Sequence, residues 1–155
     1  MTPAIKLARL SGIDFQLHEY AHDPSCEAYG NEAATKLGFA ETQVFKTLLV
    51  RLDNKELAVG IVPVCMMLNM KSFARAAGAK KACMADAIEV ERSSGYVLGG
   101  VSPLAQKKRL KTFIDVSAES LETIYVSAGR RGLEIQLNPY DLQQLSQAQF
   151  AHIAQ

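Results

Sequence analysis

The chain contains no tryptophan, three histidines, three cysteines and few aromatic residues of any kind (7%). Each scarcity removes a class of function. Cys26, Cys65 and Cys83 are odd in number, widely spaced and form no CxxC pair, so neither a disulfide framework nor a zinc pattern with His18, His22 and His152 is expected. Free thiols without a framework point to a reducing compartment, with the cytoplasm as the expected location. There is no HExxH pair, no P-loop and no Gly-x-Ser-x-Gly elbow, and no metal or cofactor is called for. Sparse aromatics argue against a broad base-stacking platform. No apolar run is long enough to span a bilayer, and Met1 to Ile13 lacks the h-region and cleavage site of a secretory signal, so no membrane partner is expected. The chain is poor in catalytic groups of its own.

What is present is ordinary in amount and uneven in placement. With 155 residues, 48% apolar and 21% charged, the expectation is one domain over residues 1–155 with a sizeable core. Net charge is only +1, yet residues 71–111 carry nine Lys/Arg against three Asp/Glu while 112–155 carry two against five. One basic third in a neutral or acidic chain suggests a polyanionic partner engaged by one face.

Strands and helices alternate without a strict βαβ rhythm. Thr2-Pro3 caps a short helix that Gly12 stops. Ile13 to Tyr20 is expected as a strand and Glu27 to Leu37 as a helix ended by Gly38. Val44 to Leu52 and Glu56 to Val64 form a hairpin around Asp53-Asn54-Lys55. Helices are expected over Asn69–Ala77 and Ala85–Arg92, and strands over Thr112–Val116, Thr123–Ser127 and Leu133–Leu137, with Ala128–Gly132 as a turn. Asn138-Pro139 opens a last helix, after which the tail from Ser146 docks or frays. The reading is α+β, with a mixed, mostly antiparallel sheet.

Four stretches carry candidate chemistry. In Val44-Phe45-Lys46-Thr47-Leu48-Leu49-Val50, Lys46 shares a face with Val44, Leu48 and Val50, so the ammonium must snorkel, find a partner or act chemically. Gly99-Gly100-Val101-Ser102-Pro103 is either a tight turn or a loop that aims backbone N–H groups at an oxygen. Lys107, Lys108, Arg109 and Lys111 are either a solvated run or contacts to a phosphodiester backbone. Ser127-Ala128-Gly129-Arg130-Arg131-Gly132 reads as a tight connection between strands.

Together, Phe45–Val50, the block Gly95–Arg109 and Tyr125–Leu133, with Thr2-Pro3-Ala4 and Asn31–Ala34, resemble the bacterial YbaK-type aminoacyl-tRNA deacylases, free-standing relatives of the editing domain of prolyl-tRNA synthetases. The resemblance covers nearly the whole chain and is nearer the Cys-tRNA(Pro) than the Ala-tRNA(Pro) branch. Ala105 departs from it, at a position where glycine is expected. The resemblance implies a β-barrel-like sheet flanked by helices and hydrolysis of Cys-tRNA(Pro), with Lys46 as the essential lysine. It also implies a Gly-x-x-x-Pro loop at Gly99–Pro103 and a substrate pocket at Tyr20, Gly99 and Ser127. The implied mechanism is attack of the substrate's own thiol on its ester. For such a reaction the backbone N–H groups of Gly100 and Val101 are the expected oxyanion candidates. The implied partners are misacylated tRNA(Pro) and, transiently, prolyl-tRNA synthetase. A broader or Ala-tRNA(Pro) deacylase using water, and a non-catalytic tRNA- or synthetase-binding module, are the competing expectations.

Overall fold

A computed structural model describes residues 1–155. Four of its five α-helices begin at a capping side chain. Helix α1 (Pro3–Ser11) starts at Thr2, whose Oγ1 accepts the Ile5 N–H at 3.2 Å. Helix α3 (Met70–Ala77) starts at Asn69, which caps Ser72 N–H at 3.0 Å. Helix α4 (Ala87–Ser94) starts at Asp86 in a reciprocal box with Glu89. Helix α5 (Pro139–Ser146) opens with Asn138 as cap and proline in its first turn. Gly12, Gly38, Gly78 and Gly95 close α1, α2 (Tyr29–Leu37), α3 and α4 in the left-handed conformation.

The strands are β1 (Phe15–Glu19), β2 (Phe45–Leu52), β3 (Glu56–Pro63), β4 (Ala82–Met84), β5 (Lys111–Asp115), β6 (Ile124–Arg130), β7 (Leu133–Leu137) and β8 (Gln149–Ala151). They form a three-stranded sheet, β1-β7-β6, and a five-stranded sheet, β4-β2-β3-β5-β8. The pairings of β1, β2, β4, β6 and β7 are antiparallel, whereas β5 is parallel to both β3 and β8. The sheet is thus mixed and mostly antiparallel, as expected, but no barrel closes. The two sheets meet through one parallel bridge, Val44 with Tyr125.

Period-two alternation sends the two faces of the larger sheet into two cores. Phe45, Leu49, Val59, Ile61 and Ile114 face the smaller sheet and pack with Val126, Ile135 and Leu137. Val50, Leu52, Ala58, Val62 and Phe113 face the other way and pack under Phe73 of α3.

Several boundaries differ from the sequence expectation. The helix expected from Ala85 begins at Ala87 because Asp86 is its cap. The expected turn at Ala128–Gly132 is mostly strand: β6 runs on to Arg130 through a bulge between Ser127 and Arg130, leaving Arg131-Gly132 as the turn. β4 and a 3₁₀ turn at Val116–Ser120 have no counterpart in the sequence expectation, and the tail docks as β8.

Candidate active site

Strand β2 has a neighbour on both edges only over part of its length. Toward β3 it is paired throughout. On its other edge β4 covers only Val50 to Leu52, and β6 touches only Val44. Between them lies a gap at residues 45–49. Val44 bonds Val64 across the hairpin, while the Leu49 carbonyl accepts the Ala85 N–H on the opposite edge at 3.0 Å. By alternation, the peptide groups of Thr47 face the gap.

A cavity of about 330 Å³ fills this gap. One wall is Phe45, Lys46, Thr47, Leu48 and Leu49; a second is Tyr20, Ser127 and Glu134 from the smaller sheet and its margin. Glu27 to Asn31 form an end, and Met84, Leu98, Gly99 and Val101 the rim and floor. Of Val44, Leu48 and Val50, which share the strand face of Lys46, only Leu48 lines the cavity. Because the cavity opens on the strand's edge, residues of both faces reach it.

Close backbone approach builds the rest. A Cβ on Gly30 would overlap Val64 Cγ1 and stand 4.0 Å from Lys46 Cβ, so only glycine lets the first turn of α2 lie on this strand end. Ala28 supplies no side-chain cap, and the N–H groups of Tyr29, Gly30 and Asn31 have no acceptor in the protein. The positive end of α2 therefore faces the cavity. The loop from Val97 to Gly100 is a tight turn in which Gly100 N–H donates to the Val97 carbonyl at 2.9 Å, with Gly99 at φ +82° as a type II turn requires. A Cβ on Gly99 would lie 2.6–2.8 Å from the Tyr29 ring, and one on Gly100 2.8–2.9 Å from the Arg130-Arg131 backbone. Arg131 clamps the same turn: its Nε donates to the Leu98 carbonyl at 2.7 Å and its guanidinium lies 5.0 Å from the centre of the Tyr29 ring. Tyr96 hydroxyl donates to the Leu104 carbonyl at 2.7 Å, spanning the Gly99–Pro103 segment, which is buried from Gly100 to Leu104.

The pattern that defines the aminoacyl-tRNA editing domain matches residues 23–145. The chain belongs to this family. It is 31% identical over 98% of its length, and 92% of the relative's, to "Putative Cys-tRNA(Pro)/Cys-tRNA(Cys) deacylase EbsC" of Enterococcus faecalis. It superimposes on a solved structure described as "hypothetical protein APE2540" with TM-score 0.87 and 25% identity, covering 99% of each chain. It also superimposes on one described as "a putative trans-editing enzyme for prolyl tRNA synthetase", with TM-score 0.83 and 20% identity over 100% of this chain and 99% of that one.

In this editing domain Lys46, Tyr20, Gly99, Val101 and Ser127 all line the cavity. Lys46 is half-buried and makes no ion pair within the protein. Burial holds its pKa below the ordinary lysine value, partly offset by the nearby Cys65 thiol. Burial, and then Glu134, push the Tyr20 phenol up to about 12, so it stays a neutral donor. Gly100 does not line the cavity, and its N–H is spent in the turn. Val101 N–H has no acceptor in the protein. Lys107, Lys108, Arg109 and Lys111 do not reach the cavity; they are exposed, and the first two are tied by their backbone N–H groups to Ser94 and Ser93 at the end of α4. No cysteine lines the cavity, His18 bonds Gln136 and His22 bonds Glu32.

Sequence reasoning passes over Thr47, Tyr29 and Glu134. Thr47 Oγ1 is buried without a hydrogen-bond partner beside Lys46. Glu134 is 6% exposed, and burial pushes its pKa up to about 8.

Proposed function

We propose that the chain hydrolyses Cys-tRNA(Pro) in trans, by attack of the misattached cysteine's own thiol on its ester. The observation that carries this reading is a cavity holding an unpaired ammonium, hydrogen-bond donors without acceptors and no nucleophile–base pair. Such a site suits a substrate that brings its own nucleophile. An aminoacyl ester is already activated, so orientation and charge stabilisation suffice. The sulfur forms a bond to the carbonyl carbon, and the bond from that carbon to the ribose oxygen breaks. The thiol proton passes to the departing hydroxyl of the tRNA, and water later opens the thiolactone. Lys46, Val101 N–H and the first turn of α2 are the groups that meet the developing oxyanion and the terminal ribose. Thr47 supplies a further donor once substrate displaces solvent.

A cavity of about 330 Å³ holds an aminoacyl group and part of one nucleoside, not a tRNA body. Selection of tRNA(Pro) therefore falls to prolyl-tRNA synthetase, which presents the acceptor end in a transient complex. Lys107, Lys108, Arg109 and Lys111 serve the tRNA backbone away from the reacting ester. The need for such editing follows from size: cysteine and proline are too similar for a synthetic site to separate by packing alone.

The test is deacylation of Cys-tRNA(Pro) and Ser-tRNA(Pro) by wild type and Lys46→Ala. Wild type should release cysteine and leave serine attached. Lys46→Ala should lose roughly 10²–10³-fold in rate, the loss typical of one oxyanion donor, with its melting temperature preserved. Equal hydrolysis of the seryl ester would replace the thiol mechanism with attack by water. No hydrolysis of either, with synthetase present, would leave a binding module.

A further inference from the structure

Glu134 is an anomaly in the wall of the cavity. It lies in β7 between Leu133 and Ile135, opposite Ser127 of β6 and His18 of β1. It is 6% exposed and lines the cavity, yet its carboxyl makes no hydrogen bond or ion pair. The other carboxyl at the cavity, Glu27, stands at the exposed rim. An ionised carboxylate buried without a partner is strongly disfavoured, and burial alone accounts for its retained proton. At neutral pH such a group is mostly the neutral acid in the free protein, and the carboxylate becomes favourable when a cation enters beside it.

Every unblocked aminoacyl ester carries an α-amino group at a fixed place, on the carbon next to the reacting carbonyl, and a carboxylate beside it favours its ammonium form. The cavity is polarised to receive it: Lys46 stands on the β2 wall and Glu134 on the β7 wall. We propose that Glu134 is the receptor for the α-ammonium of the aminoacyl group, so that the site accepts free aminoacyl esters and rejects N-acylated and peptidyl esters. This rests on the reading of the cavity as an aminoacyl-ester site. An ammonium has three donors. Glu134 takes one, and the hydroxyl oxygens of Tyr20 and Ser127, which line the same cavity, are the further acceptors that wall offers. Anchoring at Glu134 also fixes the rotation about the Cα–carbonyl bond, which turns the substrate's side chain toward its own ester. An N-acyl group removes the charge, adds bulk and leaves Glu134 unpaired.

Two hydrolysis-resistant analogues test this, 3′-deoxy-3′-(cysteinylamino)adenosine and its N-acetyl form, titrated by calorimetry into wild type, E134Q and E134D. The same variants are then assayed on Cys-tRNA(Pro) and N-acetyl-Cys-tRNA(Pro). Wild type should bind the free amine about 30-fold more tightly than the acetylated form, as expected when one partner of a desolvated charge pair is removed. E134Q should shrink that gap to a few-fold and raise KM for Cys-tRNA(Pro) more than it lowers kcat, and E134D should restore part of the gap. Equal binding of both analogues by wild type, or an unchanged gap in E134Q, overturns the proposal. So does an E134Q effect confined to kcat, which would make Glu134 a proton carrier. If wild type discriminates between the analogues but cleaves neither tRNA, the ammonium receptor stands and the deacylase reading falls.

Discussion

At the scale of single residues, Lys46 was legible because a charge in an apolar strand has few explanations. Glu134 was not. In Leu133-Glu134-Ile135-Gln136-Leu137 the alternation assigns Glu134 and Gln136 to a solvent face, and only the cover of Tyr20 and the cavity's other walls buries Glu134. Local rules do bear on two neighbouring backbone positions. Gly99 combines a left-handed φ of +82° with a missing Cβ that would meet the Tyr29 ring at 2.6 Å. Gly99→Ala therefore adds backbone strain to overpacking and should cost roughly 2–4 kcal/mol, read as a drop in melting temperature of about 5–15 °C. Ala105 is the converse. The sequence has alanine where the family resemblance leads one to expect glycine, and the structure holds that alanine at φ +57°. Ala105→Gly relieves left-handed strain of about 1–2 kcal/mol and gives back part of it in unfolded-state entropy. A net gain of about 0.5–1 kcal/mol in urea denaturation is expected, with the m-value unchanged.

At the scale of elements, the capped helices and the β2–β3 hairpin could be read from sequence, because caps, turn residues and periodicity act within a few positions. The terminal strand β8 could not, because what holds it lies far away along the chain. Asp115, at the end of β5, accepts the N–H groups of Ile153 and Ala154 on Oδ1, each at 3.0 Å, and that of Ser117 on Oδ2 at 3.1 Å. Burial works to raise the Asp115 pKa, but these donors outweigh it and hold the carboxyl below the ordinary aspartate value. The group is thus more acidic folded than unfolded. Its stabilisation is complete above the unfolded aspartate pKa of about 3.9 and disappears as pH falls through the lower folded value. Asp115→Ala removes the acceptor from two buried amides and should cost about 3 kcal/mol at neutral pH. In wild type the amides of Ile153 and Ala154 should resist hydrogen exchange; in the variant they should exchange early, while those of β2 and β3 keep their relative order. The stability gap between wild type and variant should narrow below about pH 4. A gap that is constant down to about pH 2 would assign the effect to packing.

At the scale of the whole molecule, the candidate site exists because two sheets fail to close into one. The resemblance pointed to a barrel-like sheet, and the physical departure from it is specific: β4 is three residues long and β6 turns away after one bridge, leaving β2 open at residues 45–49. No local pattern encodes that gap, since it depends on how far two strands distant in sequence extend along a third. Charge placement has the same character. The basic run was visible in sequence, but its distance from the chemistry was not. Its backbone is pinned to the end of α4, and its side chains point to solvent on a surface that the cavity does not share. These cations are therefore expected to act on a polyanion by counterion release rather than on the ester. Replacing Lys107, Lys108 and Arg109 together by glutamine should weaken binding of unacylated tRNA(Pro) at low salt and leave the melting temperature of the protein unchanged, because none of the three side chains makes an ion pair within the chain. The slope of log K against log salt should flatten by about 2–3, since each phosphate left without its cation takes away roughly 0.7–0.9. Lys46→Ala should flatten the slope by no more than a single phosphate's share, since its ammonium lies in the cavity and not on the exposed basic run. If the triple variant keeps the wild-type slope, the tRNA backbone docks on another face, and the cations Arg51, Lys55 and Arg92, which with Lys108 line a separate polar groove, become the next to replace.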